Sequence, residues 1–316
     1  MTEAEPRELF GPAAEDIRKV ETQLRQEIQD DPPEVARAMA DLFVAGGKRI
    51  RPALVLLAAM CGTYDAVRVL PAAMAVELTH AATLVHDDVI DRSPTRRGRP
   101  TVAAKLGDEP AIVIGDYYFA KSYELAARTG VPEVVHILAR AVMKICAGEV
   151  RQQSIRYRYS TDIPEYMDRI EAKTGTLLVA CCEIGGLLGR LNDAQRVALR
   201  EYAVALGCAF QIADDVLDYT STEEEVGKPI GQDIREGFAT LPLLLAGVKL
   251  DDDRRLEEDE VRHVVDAVLA SDGPRRALEQ ARGIAAGARA QVSTIGESDA
   301  TAALAALADY VVSRKL

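Results

Sequence analysis

The chain has 316 residues, 48% of them hydrophobic and 28% charged, with a formal net charge of −12 and a pI near 5.0. It is long enough to bury a large core, and its acidity argues against a nucleic-acid partner. Cys61, Cys146, Cys181, Cys182 and Cys208 lie in apolar segments without C-x-x-C spacing, which argues against a zinc site or disulfide framework and favours small reduced core residues.

Met1–Pro6 lacks the charged-then-apolar signal pattern, and no stretch reaches about 18 uncharged apolar residues. The expectation is a cytoplasmic protein with no transmembrane segment, and peripheral membrane contact for release of an apolar product is compatible with it. Apolar residues recur with the helical period almost throughout, without a convincing alternating strand. Helices are expected at about 12–30, 33–45, 51–62, 70–92, 110–129, 132–158, 164–190 with a break near Gly175, 194–220, 237–249, 258–270, 274–294 and 298–314. Asp108-Glu109-Pro110, Asp162-Ile163-Pro164, Asn192-Asp193 and Asp272-Gly273-Pro274 supply start signals. No linker or composition break interrupts the chain, so a single domain over 1–316 is expected, with 220–236 as an irregular candidate lid.

Two acidic clusters stand out. Asp87, Asp88 and Asp91 share their spacing with Asp214, Asp215 and Asp218, each triplet inside apolar sequence such as Leu84, Val85 and Val89 or Ile212, Val216 and Leu217. On a helix the first and fifth positions lie about 6 Å apart along the axis. Carboxylates crowded in apolar surroundings need counter-charge. Oxygen donors without thiolate or paired imidazole select a hard cation, Mg²⁺ foremost, which completes its shell with phosphate oxygens and water. The implied ligand is a phosphate or diphosphate. Two basic stretches suit it: Gly46-Gly47-Lys48-Arg49-Ile50-Arg51-Pro52 at a helix start, and Arg96-Arg97-Gly98 after the first acidic cluster.

Together with Glu77-Leu78-Thr79-His80, Lys173-Thr174-Gly175, Phe210-Gln211 and Gly227-Lys228-Pro229, in that order, these motifs make the chain resemble the trans-isoprenyl diphosphate synthases, the polyprenyl synthetase family, over nearly its whole length. The resemblance implies an all-α orthogonal helical bundle around a deep central cavity, with the two Asp motifs facing one another across it, and a homodimer. It implies that Lys48, Arg51, His80 and Arg97 bind isopentenyl diphosphate. The six aspartates Asp87, Asp88, Asp91, Asp214, Asp215 and Asp218 would bind about three Mg²⁺. Arg96, Lys173 and Lys228 would touch the allylic diphosphate, while Thr174 and Gln211, with Lys173, would serve the developing cation. The reaction is Mg²⁺-dependent, all-trans condensation of isopentenyl diphosphate with farnesyl or geranylgeranyl diphosphate. One departure concerns the stretch where the family commonly has Gly-Lys-x-Thr: here it is Gly237-Phe238-Ala239-Thr240.

On the helix of the first motif, Thr83 and Ala82 precede Asp87 by one turn and Thr79 by two; all are small. Family members with short products typically carry an aromatic residue at the first-turn position. The expected product is therefore long, around C30–C50 as in quinone side chains, with Met74, Leu138 or Met143 as a floor. A geranylgeranyl or farnesyl diphosphate synthase is the alternative of the same class; a subunit of a heteromeric synthase is the alternative of another. A terpene cyclase fits less well, because its pocket is lined with aromatics and this chain has no Trp and 5% aromatic residues.

Overall fold

The computed structural model describes residues 9–44, 47–96, 98–221 and 230–313. The helices, in chain order, are α1 (Ala14–Gln29), α2 (Pro33–Val44), α3 (Ile50–Met60), α4 (Ala66–Ile90), α5 (Val102–Leu106), α6 (Asp108–Ala127), α7 (Pro132–Ser154), α8 (Ile163–Ile170), α9 (Thr176–Leu188), α10 (Asp193–Thr220), α11 (Gln232–Glu236), α12 (Leu241–Ala246), α13 (Glu258–Ala270), α14 (Gly273–Ile295) and α15 (Asp299–Ser313). The all-α expectation holds, and most helix ends fall within a few residues of the expected positions. A single π turn, Glu171–Gly175, joins α8 to α9, where the sequence suggests a break near Gly175.

Three local expectations need correction. A two-residue hairpin pairs Thr95 with Pro100 and Arg96 with Arg99; strands this short carry no period for the sequence to reveal. The expected 237–249 helix starts instead at Leu241, with Pro242 in its first turn. Gly237 prevents an earlier start: its φ of 88° ends the one-turn helix α11, and a Cβ there would lie 2.4 Å from the Tyr157 ring. Of the expected 220–236 loop, 232–236 is therefore helical, while 222–229 lie outside the described residues.

The chain divides into two compact units. The first comprises 1–142, 180–199 and 295–304; the second comprises 143–179, 200–294 and 305–316. In the first unit α4 is the central helix. Asp65 caps it by accepting from the Val67 N–H, and its length and hydropathy would suffice to cross a membrane, but 72% of its most apolar window is buried inside the protein. Its apolar surface is spent on core packing. Glycines bring α9 against α3: a Cβ on Gly185 would lie 2.4 Å from the Val55 carbonyl oxygen, and one on Gly189 would lie 2.6 Å from that of Ala59. Asp31, 8% exposed, accepts from Tyr117 and Tyr118 at 2.7 and 3.1 Å and pairs with Lys121, which ties the end of α1 to α6.

In the second unit Tyr159, Tyr219, Ile234, Leu243, Val261 and Val268 belong to one buried cluster. Asp162 caps α8 through the Glu165 N–H at 2.8 Å, as its position before Pro164 suggests.

The glycine seam yields a test. Gly185→Ala forces α3 and α9 apart and should destabilise the protein by about 1–3 kcal/mol, read as a lowered urea midpoint. The same change at Gly283, where nothing lies within 4 Å of an added Cβ, should have little or no destabilising effect.

Candidate active site

Each Asp triplet sits at the C-terminal end of a long helix: Asp87 and Asp88 in the last turn of α4 with Asp91 as its C-cap, and Asp214, Asp215 and Asp218 in the last two turns of α10. Like-charge repulsion and burial both oppose ionised carboxylates, and in the last turn, at Asp87, Asp88 and Asp218, the negative end of the helix dipole adds to them. Asp88, Asp215 and Asp218 are 3%, 4% and 5% exposed.

In the first unit Asp88 Oδ1 accepts from both Nε and Nη2 of Arg96 at 2.8 Å. Burial pushes the Asp88 carboxyl above its ordinary range, and Arg96 pulls it back in part. Arg92 turns left-handed at φ 51° just after the motif, and Ser93 N–H then returns to the Asp88 carbonyl at 2.9 Å. Arg97 lies outside the described residues. His86 is held against the Ile112 carbonyl at 3.0 Å.

The basic motif is anchored by a residue to which sequence reasoning assigned no role. Arg49 takes a left-handed conformation, φ 50°, at the start of α3. Its guanidinium reaches Glu77 at 2.5 Å and Glu21 at 2.9 Å, which fixes the turn carrying Lys48 to α4. Lys48 is exposed and Arg51 half-buried. His80, one turn after Glu77, lines a small recess with Arg49, Glu77 and Leu84. Glu77 stands three residues before His80, so helical spacing was a usable signal for it.

On α4, Thr79 and Ala82 are fully buried, and the Thr79 Oγ1 has no hydrogen-bond partner among the described residues. Thr83 is half-buried and donates to the His80 carbonyl at 2.8 Å. Met74 and Leu138 are buried, but Met143 is 71% exposed, so it does not form the expected internal floor.

In the second unit, four side chains form a continuous hydrogen-bonded chain. Thr174 donates to Gln211 Oε1 at 2.6 Å, Gln211 Nε2 donates to Asp215 Oδ1 at 2.7 Å, and the buried Tyr166 hydroxyl donates to Asp215 Oδ2 at 2.6 Å. The π turn brings Thr174 to Gln211, a feature that recurs at functional sites. The approach is possible because both helices are bare at the crossing: a Cβ on Gly207 would lie 2.7 Å from the Gly175 Cα. Lys173 pairs with Glu149 at 3.0 Å. Asp218 Oδ2 accepts from the Asp233 N–H at 3.1 Å, anchoring α11. Lys228 lies outside the described residues.

Gln152, Tyr166, Arg169, Lys173, Asp215 and Phe238 help line a recess of about 110 Å³ in this unit. Sequence reasoning missed Tyr166 and Arg169. Tyr166 lies two turns before Thr174 and Arg169 one turn before Lys173, so helical spacing was a usable signal for both.

Burial pushes the Asp215 carboxyl up to about 7, the bonds from Tyr166 and Gln211 and the charge of Arg169 hold it down, and Asp214 adds to the rise. Such a group attracts a proton or a cation. Among the described residues no cluster of three or more His, Cys, Asp or Glu side chains is preassembled to hold a metal ion. The donor set nonetheless suits a hard divalent cation, which takes one or two carboxylates and completes its shell with phosphate and water.

Two outcomes follow. Because the folded value of Asp215 lies above the unfolded one, its contribution to the metal-free protein is intact below about pH 4 and is lost as pH rises through about 7. Asp215→Asn should raise the metal-free melting temperature at pH 8 by several degrees, with the advantage vanishing by pH 4. Gly207→Ala should separate Thr174 from Gln211 and lower both kcat and the melting temperature.

A model of the polyprenyl synthetase family matches residues 32–266. The chain is 37% identical over 308 residues to heptaprenyl diphosphate synthase component 2 of Geobacillus stearothermophilus, covering 98% of this chain and 90% of that one. It is 41% identical over 228 residues to geranylgeranyl diphosphate synthase of Methanosarcina mazei, covering 70% of each. Its structure superposes on a polyprenyl synthase from Caulobacter crescentus CB15 complexed with calcium and isoprenyl diphosphate, with TM-score 0.90, 34% identity and full coverage of both chains. The family's motifs, its helical fold and these matches lead to one conclusion: the chain belongs to the polyprenyl synthetase family, the trans-isoprenyl diphosphate synthases, and is a prenyltransferase.

Proposed function

We propose that this enzyme condenses isopentenyl diphosphate with farnesyl or geranylgeranyl diphosphate, in all-trans geometry, to a polyprenyl diphosphate of about C30–C50 with Mg²⁺ as its divalent metal. The observation that carries the metal and diphosphate reading is the pair of Asp triplets near helix C-termini, where crowded, partly buried carboxylates favour added positive charge. The long product rests on the small side chains of Ala82, Thr83 and Thr79, one and two turns before the first motif.

In this reading Lys48, Arg51, His80 and Arg97 hold isopentenyl diphosphate, with Arg49 and Glu77 fixing the turn that carries Lys48. Asp87, Asp88 and Asp91 ligate metal in the first unit, and Asp214, Asp215 and Asp218 do so in the second, within one functional domain. Arg96, Lys173 and Lys228 bind the allylic diphosphate. Arg96 and Lys173 exchange their present partners, Asp88 and Glu149, for phosphate oxygens when substrate and metal enter. Bound Mg²⁺ supplies charge neutralisation as diphosphate leaves. Thr174 keeps oxygen lone pairs for the allylic cation, since its hydroxyl proton is committed to Gln211. The isopentenyl double bond attacks that cation from its own anchored position, and a proton is lost to the departing diphosphate.

The alternatives are a geranylgeranyl-length product, as the name of the Methanosarcina relative suggests, and a requirement for a second component, as the name of the Geobacillus relative suggests. The assay is incubation of the purified chain with labelled isopentenyl diphosphate, farnesyl diphosphate and Mg²⁺, followed by sizing of the products. Products of six to ten prenyl units from the chain alone are expected, from a homodimer by sedimentation. Arrest at four units would remove the long-chain reading, and no elongation without added protein would favour the two-component one. Ala82→Tyr or Thr83→Phe should shorten the product; an unchanged distribution would sink the assignment of length to this helix face.

A further inference from the structure

At the turn 236–239 this chain has an apolar residue where its family commonly has a lysine. Phe238 is buried and forms part of the wall of the Asp215 recess. Two arginines from elsewhere in the second unit grip this turn. Arg156 donates from Nε to the Glu236 carbonyl at 2.7 Å, with its guanidinium 6.0 Å from the Phe238 ring centroid. Arg169 donates from Nη2 to the carbonyl of Ala239, the residue after Phe238, and its guanidinium lies 5.5 Å from the Tyr166 ring centroid. Arg156 is not part of the recess lining, whereas Arg169 is, together with Lys173 and Asp215.

We propose that Arg169 is a diphosphate-binding residue of this recess and supplies there the cation that Phe238 does not. The geometry favours it in three ways. The guanidinium is bonded to the backbone of the very turn in which the lysine is missing. It is pre-ordered by the Ala239 carbonyl and the Tyr166 ring, so little rotamer freedom is lost on binding. It also carries five N–H donors in a planar fork suited to two phosphate oxygens at once, and the Ala239 bond occupies one of them. Gln152, Thr174 and Gln211 add neutral polar groups to the same lining. The acidic residues Asp215, Asp233 and Glu236 line the recess as well, so the anion enters with its divalent cation and not alone. The inference rests on the reading of Lys173 and Asp215 as part of the allylic diphosphate site.

The test uses the full-length protein and inorganic diphosphate with Mg²⁺, measured by titration calorimetry, beside KM for each substrate. Arg169→Gln should weaken diphosphate binding about tenfold and raise KM for farnesyl diphosphate similarly, leaving KM for isopentenyl diphosphate within about twofold. Phe238→Lys added to Arg169→Gln should recover most of that loss, which a purely structural role for Arg169 would not predict. Diphosphate affinity within twofold of the parent in Arg169→Gln, or equal effects on both substrates without rescue, overturns the proposal. Should Arg169→Gln fail to fold, Arg169→Lys decides. It keeps the charge and a donor to Ala239 but loses the fork, and should weaken diphosphate two- to fivefold; unchanged affinity overturns the proposal. A parent protein that binds no diphosphate with Mg²⁺ would instead remove the underlying site reading.

Discussion

Six carboxylates crowded near the C-terminal ends of two long helices, three of them nearly inaccessible to solvent, form the constraint to which the neighbouring residues answer. Each triplet is unfavourable in isolation, and each unit spends specific donors to tolerate it. In the first, the Arg96 guanidinium places two N–H groups on one oxygen of Asp88. In the second, neutral donors from Tyr166 and Gln211 satisfy the two oxygens of Asp215 without cancelling its charge. The difference matters chemically. A carboxylate held by neutral donors keeps its appetite for a cation, whereas one already paired with arginine must exchange a partner before it can ligate metal.

The donors themselves depend on backbone features some distance from the acids. Thr174 reaches Gln211 only because one π turn shifts the register of the α8–α9 segment and because Gly175 and Gly207 let two helices nearly touch. Lys48 stands on a turn that a left-handed Arg49 holds against Glu77 and Glu21. Neither arrangement is made of ligand-binding groups, yet substitution at Gly207 or Glu77 disturbs the residues that are. Stability is given up at the acidic ends and recovered in close-packed seams such as Gly185 against Val55 and Gly189 against Ala59.

Much of this was legible before any coordinates. Helical periodicity located nearly all of the long helices, and the spacing of Asp87, Asp88 and Asp91, repeated at Asp214, Asp215 and Asp218, pointed to a hard cation and a diphosphate. What escaped were interactions without a periodic trace. The 95–100 hairpin is too short to alternate. Gly237 is compatible with a helix on composition but is pinned against Tyr157 at positive φ. Arg169 lies in an ordinary polar stretch, and its partner Ala239 is 70 residues away. The helix-dipole penalty at the acidic motifs was implicit in where the expected helices ended, but its force depends on burial, which sequence does not report.

By itself, then, the sequence determined the all-helical class, the family, the two acidic triplets and the chemistry that carboxylate oxygens beside basic turns can support. These follow from local periodicity and from residue type, both of which survive in a linear string. The tertiary structure alone decided that Asp215 is closed off from water and held by Tyr166, that Arg49 is a strut while Lys48 stands exposed, that Met143 faces outward, and that Arg169 bonds to the backbone of the turn where Phe238 stands. Each of these depends on which distant side chains converge and how much solvent they exclude. Convergence and exclusion are properties of packing, and no local pattern encodes them.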